Sequence, residues 1–441
     1  MRAPPSLPPA ESLARHFFIV AAAGFAASSL IGLLAAAAIA LPQGRPAPID
    51  FSILRPLHTF LAIAGILAGL QGLVLSIPGT DRNPWPARLQ LGAMAAFIVF
   101  GAVAQTLGIG SGREYFTWPL GLSVLLFSGL ALMLWRLFVG ASAMERRSPE
   151  GLWLIGLGGL LILVSLIESE LWRLDAVASD YVRNLTLQWH GIDSFFAGIN
   201  IALYGSAAYL MSDRPKALRG RGLFLIAGFG LLFTFGHHHY VSPQPHFLKS
   251  LAFIASMIAV LSFWRHIAAY RTLHAADLGE RHLLALWRSV EFWTLASIAT
   301  GVLFAVPQIN LIVHGTYLIV AHAMGSMIGV NVLIVMAGGL ARAHRPEAVS
   351  AARVLLGVRL VNLALILIWI DLGAAGLVKG VMRVGGAYHD YQPIVDLLMV
   401  GFPLGGLALI AGLGLLSAEL VRVNLKASAA PRPARQAVEM T

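Results

Sequence analysis

The chain consists almost entirely of apolar runs that are each long enough to cross a lipid bilayer. A helix needs about 20 consecutive apolar residues to span the hydrocarbon core, and its backbone must satisfy its own hydrogen bonds there. We place such runs at 17–42, 52–77, 86–108, 117–142, 151–168, 185–211, 219–239, 247–270, 286–306, 310–339, 351–378 and 392–421. The sequence therefore predicts an all-α, polytopic membrane protein with about twelve transmembrane helices.

The composition supports one membrane domain. Hydrophobic residues make up 58% of the chain and charged residues only 12%, whereas a soluble domain carries about 25% charged residues. The connections between the runs are short, so we interpret residues 1–426 as a single integral membrane domain. Residues 427–441, which contain the segment Ala-Pro-Arg-Pro-Ala-Arg, are predicted to be a disordered tail.

The basic residues indicate the orientation of the helices. The net charge of +10 comes from Lys and Arg in the short loops, and cytoplasmic loops of membrane proteins are enriched in both. With a cytoplasmic N-terminus, eight of the 31 basic residues fall on the outer side: Arg45, Arg55, Arg113, Arg173, Arg183, Lys249, Lys379 and Arg383. Both termini are therefore predicted to be cytoplasmic, and the charge indicates topology rather than binding of nucleic acid.

Half of the 14 histidines lie in or at the ends of four predicted spans, towards one side of the membrane. Ionisable residues are costly there and usually bind or pair with something, and imidazole is the commonest ligand for transition metals. The chain has no cysteine, which excludes thiolate metal sites and covalently attached c-type haem. The pattern predicts metal binding by imidazoles from this set: His58, His190, His237, His238, His239, His314 and His322.

Around these histidines the sequence resembles the catalytic subunit of the haem-copper oxidase superfamily, most closely its nitric oxide reductase branch. The matching segments are Arg55-Pro-Leu-His58, Trp189-His190, Gly236-His237-His238 and the stretch from His314 to Met324. The resemblance implies that His58 is an axial ligand of a low-spin haem b and that His322 binds a high-spin haem b. It implies that His190, His237 and His238 hold a non-haem iron or copper ion, and it includes His314 among the cofactor-binding residues.

The segment Ser-Gly-Arg-Glu-Tyr at residues 111–115 resembles an outer loop of the nitric oxide reductases. The resemblance implies that Glu114 helps to hold a Ca²⁺ ion that bridges the haem propionates. Arg113 would then lie beside those propionates.

Met324 departs from the family pattern, which usually has a second histidine at this position. His322 and Met324 are two residues apart, about 200° around a helix, so they face opposite sides. One helix could then stand between two haems, with the low-spin haem held by His58 and Met324. The alternatives are that Met324 fills a gap in the packing and that the low-spin haem is five-coordinate or missing.

The positions of the catalytic tyrosine of the oxygen-reducing relatives are occupied by Ser194 and Leu231. The absent phenol disfavours four-electron reduction of O2. The reductases usually have a glutamate at the position of Ser194, whereas this chain has Asp193 one residue earlier. Asp193 is therefore a candidate fourth ligand or proton donor, or else a hydrogen-bond acceptor behind a ligand.

Two further ambiguities remain open from the sequence. Of the three adjacent histidines, His239 is not an implied ligand, and His238 with His239 is an alternative ligand pair. Glu168 and Glu170 belong to a proton path from outside or are solvated helix-end charges.

The sequence thus predicts reduction of two NO molecules to N2O and water in a bacterial cytoplasmic (inner) membrane. An electron-donor subunit, either a membrane-anchored cytochrome c or a copper-domain protein, is expected to dock on the outer face beside Arg113 and Glu114. The alternative functions are an O2-reducing terminal oxidase of the same superfamily and a non-catalytic membrane protein that binds haem or NO.

Overall fold

The computed structural model describes residues 10–40, 50–77, 84–141, 149–210, 233–275, 280–343, 348–387 and 390–425. Every regular element within these ranges is helical. The predicted disordered tail, 427–441, lies outside the described residues.

The first half of the chain forms long helices joined by short loops. They are α1 (Ala10–Ala40), α2 (Phe51–Leu75), α3 (Pro84–Thr106), α4 (Leu120–Val139), α5 (Pro149–Glu168), the short α6 (Asp175–Ala178) and α7 (Tyr181–Leu210). A 3₁₀ turn at Leu171–Arg173 precedes α6, and a second 3₁₀ helix covers Thr234–His239.

The second half contains several interrupted helices. They are α8 (His246–Ala275), α9 (Arg281–Phe304), α10 (Pro307–Val313), α11 (Tyr317–Met324), α12 (Leu333–Ala341), α13 (Ala351–Val384), α14 (Gln392–Met399) and α15 (Phe402–Leu425). A π-helical segment at Gly325–Val332 joins α11 to α12.

These helices confirm the polytopic all-α prediction. Among the described residues, eight helical segments are long and apolar enough to cross a membrane, and α9 with α10 makes a ninth if the bent pair is one span. Helices α7 and α8 cover the predicted spans at 185–211 and 247–270. Most of the predicted span at 219–239 lies outside the described residues, and its end is a 3₁₀ helix.

The predicted span at 310–339 begins later than expected, at Tyr317. The helix axis bends by 104° between α9 and α10, and Gly315 then adopts a φ of +71°, which interrupts the helix before α11. Thr316 caps the new helix, since its Oγ1 accepts a hydrogen bond from the Leu318 amide at 3.3 Å.

Close contact between α5 and α7 positions one wall of the candidate site. A Cβ atom on Gly158 would lie 2.4 Å from the carbonyl oxygen of Gly198, so a larger residue does not fit at this helix spacing. Small residues permit such approach between helices in lipid. Further along the same interface, the Cβ position of Gly191 lies 3.6 Å from Cβ of Glu168. This packing brings the carboxyl end of α5 against the ring of His190.

Candidate haem and metal site

His190 on α7 is oriented by a carboxylate from α5. Its Nδ1 lies 2.8 Å from Oε2 of Glu168, and its ring stands edge-on to Phe235 with centroids 4.7 Å apart. Because a carboxylate only accepts hydrogen bonds, Nδ1–H is the donor. The lone pair of Nε2 is then left for a metal, as in many carboxylate–histidine–metal arrangements.

His322 on α11 is held in the same tautomer by a hydroxyl group. Thr300 Oγ1 donates to the carbonyl oxygen of Ala296 at 2.8 Å and also lies 2.8 Å from Nδ1 of His322. Since the hydroxyl hydrogen is already used, Nδ1–H of His322 donates to Thr300 and Nε2 keeps its lone pair. A Cβ on Gly301 would lie 3.4 Å from Cε1 and 3.9 Å from Nε2 of this ring, so the glycine leaves that side open.

His58 on α2 is fixed by α1. Its Nδ1 lies 2.8 Å from the carbonyl oxygen of Ser28, whose hydroxyl donates to the carbonyl oxygen of His58 at 2.9 Å. A carbonyl only accepts, so Nδ1–H again donates and Nε2 remains free. The ring packs against Gly32, where a Cβ would lie 2.7 Å from both Nδ1 and Cε1.

The three consecutive histidines lie on the 3₁₀ helix Thr234–His239 and have different surroundings. The ring of His238 stacks flat on Trp189, with centroids 4.2 Å apart and an interplanar angle of 9°, and lies 4.3 Å from the ring of His237. Nδ1 of His237 and Nε2 of His239 are buried and have no hydrogen-bond partner within the described part of the chain. Such atoms are rare in folded proteins and commonly mark the place of a water, ion or cofactor.

Further imidazoles complete this cluster. The rings of His238 and His314 have centroids 5.9 Å apart, with an interplanar angle of 58°. Nδ1 of His239 lies 3.2 Å from Oγ of Ser242. The structure thus brings the rings of His237, His238 and His314 close together, and ligation of a haem or metal by the predicted residues remains a prediction.

The predicted metal triad does not form a preformed cage. Across the described ranges, no group of three or more His, Cys, Asp or Glu side chains is close enough to hold one metal ion. His190 is turned to Glu168 and Phe235, while His237 and His238 pack on each other. Binding of a metal by all three rings therefore requires His237 and His238 to turn towards the anchored ring of His190.

Asp193, the displaced carboxylate, contacts the 3₁₀ helix. Its Oδ2 accepts a hydrogen bond from Oγ1 of Thr234 at 2.5 Å. This contact supports the interpretation of Asp193 as an acceptor that positions neighbouring ligands. Ser194 is buried beside it, and Leu231 lies outside the described residues.

Met324 ends α11 and is half-buried against the main hydrophobic core. The chain is α-helical through His322 and Met324, so their opposite orientation is retained. Helices α2 and α11 make no extensive direct contact among the described residues. The structure therefore does not join His58 to Met324 directly, and their shared ligation of a haem remains a prediction.

The loop with Arg113 and Glu114 is tied to α7 and α2. Arg113 donates to Oε1 of Gln188 at 3.1 Å and to the side-chain oxygen of Asn184, while Glu114 pairs with Arg55. Partial burial lowers the pKa of Arg113 from its ordinary value, and a nearby glutamate opposes that shift.

Tyr115, the next residue of this loop, has a φ of +66°, which is uncommon for a bulky residue. Its ring stands edge-on to Phe196 with centroids 4.9 Å apart. Burial, followed by the charge of Glu114, raises the pKa of Tyr115 to about 12. The phenol is therefore neutral at physiological pH and supports the loop by packing.

Several residues that orient the site could not be identified from the sequence. Ser28 and Thr300 hold ligand histidines that lie on other helices, and Glu168 bonds to His190, a role different from the two considered for it. Glu170 does not orient a ligand, because its carboxylate accepts a hydrogen bond from Ser123 at 2.6 Å and pairs with Arg173. No local sequence signal marks these contacts, since each joins distant parts of the chain.

The residues present fit haem and metal binding. Three imidazoles on separate helices have Nδ1 engaged and Nε2 available, and two more have a buried nitrogen without a partner. Neutral imidazole with its other nitrogen hydrogen-bonded is the usual form of a histidine ligand.

Comparisons with known proteins identify the family and the fold of the chain. The family model for cytochrome c and quinol oxidase polypeptide I matches residues 12–408. Among solved structures, the chain is similar to the cryo-EM structure of a heme-copper terminal oxidase dimer, with a TM-score of 0.78 and 13% sequence identity. The match covers 97% of this chain and 85% of that chain. At this identity the likeness shows the fold alone, and a search of the curated proteins found no match.

Proposed function

The chain belongs to the cytochrome c and quinol oxidase polypeptide I family, the subunit I family of the haem-copper oxidases, and we propose that it is the catalytic subunit of a membrane-bound nitric oxide reductase. The reaction consumes two NO, two electrons and two protons and yields N2O and one water. Membership of the family makes the chain a haem-copper oxidase-type oxidoreductase, and the nitric oxide branch is the proposal.

The surroundings of His190 carry this proposal. Two carboxylates approach this ring, Glu168 by a direct hydrogen bond and Asp193 from three residues along the same helix. Ser194 is buried next to them where an oxygen-reducing relative would have a phenol. A site with carboxylates and no phenol suits two-electron chemistry at a hard, oxygen-liganded metal such as iron.

We assign the cofactor-binding roles as the resemblance implies them. His58 and Met324 would hold a low-spin haem b, and His322 a high-spin haem b. The non-haem iron, or copper, would be held by His190, His237 and His238. His314 and Arg113 would lie beside the haems, and Glu114 would help to hold a Ca²⁺ ion. When bound, these groups supply the electrons and the coordination positions for NO.

The side chains of the protein position and protect these groups. Ser28, Thr300 and Glu168 hold the three anchored imidazoles in the tautomer that presents Nε2. Trp189 covers one face of His238 and excludes water from it. Asp193 lies three residues after His190 on the same helix and is the candidate to hold a proton for the product water.

Electrons require a donor, which we propose is a membrane-anchored cytochrome c or a copper-domain subunit. It would dock on the outer face of a bacterial cytoplasmic membrane, near Arg113 and Glu114. This placement rests on the predicted orientation with both termini in the cytoplasm.

The test is purification followed by haem and metal analysis, with NO and O2 consumption measured under one electron donor. We expect NO consumption with formation of N2O and little O2 uptake. Fast O2 uptake without NO consumption would instead identify a terminal oxidase. Stoichiometric haem with no turnover of either gas would identify a binding protein.

A further inference from the structure

A groove on the lipid-facing side of the bundle, between α3 and α4, lies away from the haem and metal site. It has a cavity volume of about 490 Å³ and is lined almost entirely by apolar atoms. Its lining includes Gly92 and Ala93 of α3 and Ser128 and Gly129 of α4.

The protein itself does not fill this space. A Cβ on Gly92 would meet no atom within 4 Å, and a Cβ on Gly129 would lie 3.5 Å from Cβ of Ala93 and 3.9 Å from the carbonyl oxygen of Gln90. Ser128 does not offer its hydroxyl hydrogen to the groove, since it donates to the carbonyl oxygen of Val124 at 2.8 Å. A groove with apolar walls that opens to the bilayer is therefore filled by hydrocarbon, because an empty slot would forfeit contacts along its whole lining.

One end of the groove carries a cation. Arg88 lines it about one turn inside the start of α3, and no acidic partner binds its guanidinium among the described residues. Trp85 stands beside it and is 60% exposed. Tryptophan near a helix end is typical of the membrane interface, and arginine at that depth extends towards the lipid headgroups.

The combination is selective for one kind of molecule. A hydrocarbon slot complements an amphiphile with an acyl chain and an anionic head when the guanidinium at its interfacial end has no acidic partner among the described residues. Arginine binds phosphate with paired, charge-assisted hydrogen bonds. A neutral headgroup would leave the guanidinium without a counter-charge.

We propose that this groove binds one anionic phospholipid, with its phosphate on Arg88 and an acyl chain along Gly92 and Gly129. With the predicted orientation, the start of α3 lies in the cytoplasmic leaflet, where anionic lipids attract basic residues. The site would retain a structural lipid on the first helices of the bundle.

The test compares retention of phosphatidylglycerol and phosphatidylcholine by the purified, intact protein. The protein is delipidated in detergent, each lipid is added back, and the bound lipids are counted by native mass spectrometry alongside the thermal unfolding temperature. We expect one tightly bound phosphatidylglycerol, a higher unfolding temperature with that lipid, and no comparable effect of phosphatidylcholine.

Two variants probe the two halves of the groove. Arg88→Gln should weaken phosphatidylglycerol binding about fivefold, as expected for loss of one interfacial cation. Gly92→Leu should block the acyl position and reduce retention of the lipid, and a Cβ at this position would meet no atom within 4 Å.

Matched controls distinguish the groove from general attraction of lipid to a basic surface. Arg359→Gln removes an exposed arginine on α13 that likewise has no acidic partner among the described residues. Gly121→Leu adds a side chain at another open glycine, on α4. Both should bind like the wild type. Equal binding by Arg88→Gln and wild type, equal losses in the controls, or no preference between the two lipids would overturn the proposal.

Discussion

Removal of the carboxylate of Glu168 should weaken metal binding through His190. Oε2 of Glu168 lies 2.8 Å from Nδ1 of His190, and both side chains are largely buried, 16% and 27% exposed respectively. The carboxylate fixes the tautomer and the direction of the ring, and makes Nε2 a better donor to a metal.

The expected loss of metal affinity follows from the strength of this hydrogen bond. A hydrogen bond to a charged group contributes roughly 1.5–3 kcal/mol, and loss of a partner behind a metal ligand typically reduces metal affinity about 10- to 100-fold. Glu168→Ala should therefore reduce metal affinity about 10- to 100-fold. Glu168→Gln keeps a neutral acceptor, so the free energy of metal binding should weaken by about 1 kcal/mol. This corresponds to a roughly fivefold lower metal affinity.

The assay is chelator competition on the purified holoprotein, with the remaining non-haem metal measured per haem by mass spectrometry. Glu170 provides the control, because its carboxylate lies two residues away but bonds to Ser123 and Arg173 instead. Glu170→Gln should retain the metal like the wild type. If Glu168→Ala held its metal as tightly as the control, the carboxylate would have no part in positioning the ligand.

Three further substitutions test the haem ligands. Met324→His should convert the low-spin haem to a bis-imidazole spectrum and lower its midpoint potential in a redox titration, because a thioether ligand raises the potential; an unchanged spectrum would count against ligation by Met324. Gly32→Ala places a Cβ 2.7 Å from the ring of His58, so we expect loss or displacement of the low-spin haem, seen as a fall in its absorbance relative to total haem. Thr300→Val removes the acceptor for Nδ1 of His322 and should lower the iron–histidine stretching frequency in resonance Raman spectra, whereas Thr300→Ser should preserve it.

The helices could be predicted because each depends on its own composition. A run of about 20 apolar residues must be helical in lipid whatever its neighbours are. The interruption before α11 was not predicted, since His314-Gly315-Thr316 lies within an apolar run and its break depends on one backbone torsion. Glycine is equally common at close helix contacts, so its presence alone does not indicate a break.

The candidate site was predictable only as a set of ligands. Buried histidines stand out in an apolar sequence because ionisable groups are costly there. The hydrogen-bond partners of these histidines do not stand out. Ser28 and Thr300 are of residue types that often form hydrogen bonds to carbonyl groups of their own helix. The spacing of His190 and Glu168 along the chain likewise gives no sign of their contact, which depends on the packing of α5 against α7.

Burial of three adjacent histidines has a free-energy cost, of which the protein offsets only a part. Trp189 covers His238, and Ser242 contacts His239, but one nitrogen each of His237 and His239 is buried without a hydrogen-bond partner in the described structure. Each such atom costs roughly 1–3 kcal/mol. A metal bound by this row would offset that cost and couple binding to the local fold. The anchored ligands on α2, α7 and α11 have no such deficit, so they can set the position of the site while the row at 237–239 adjusts to the metal.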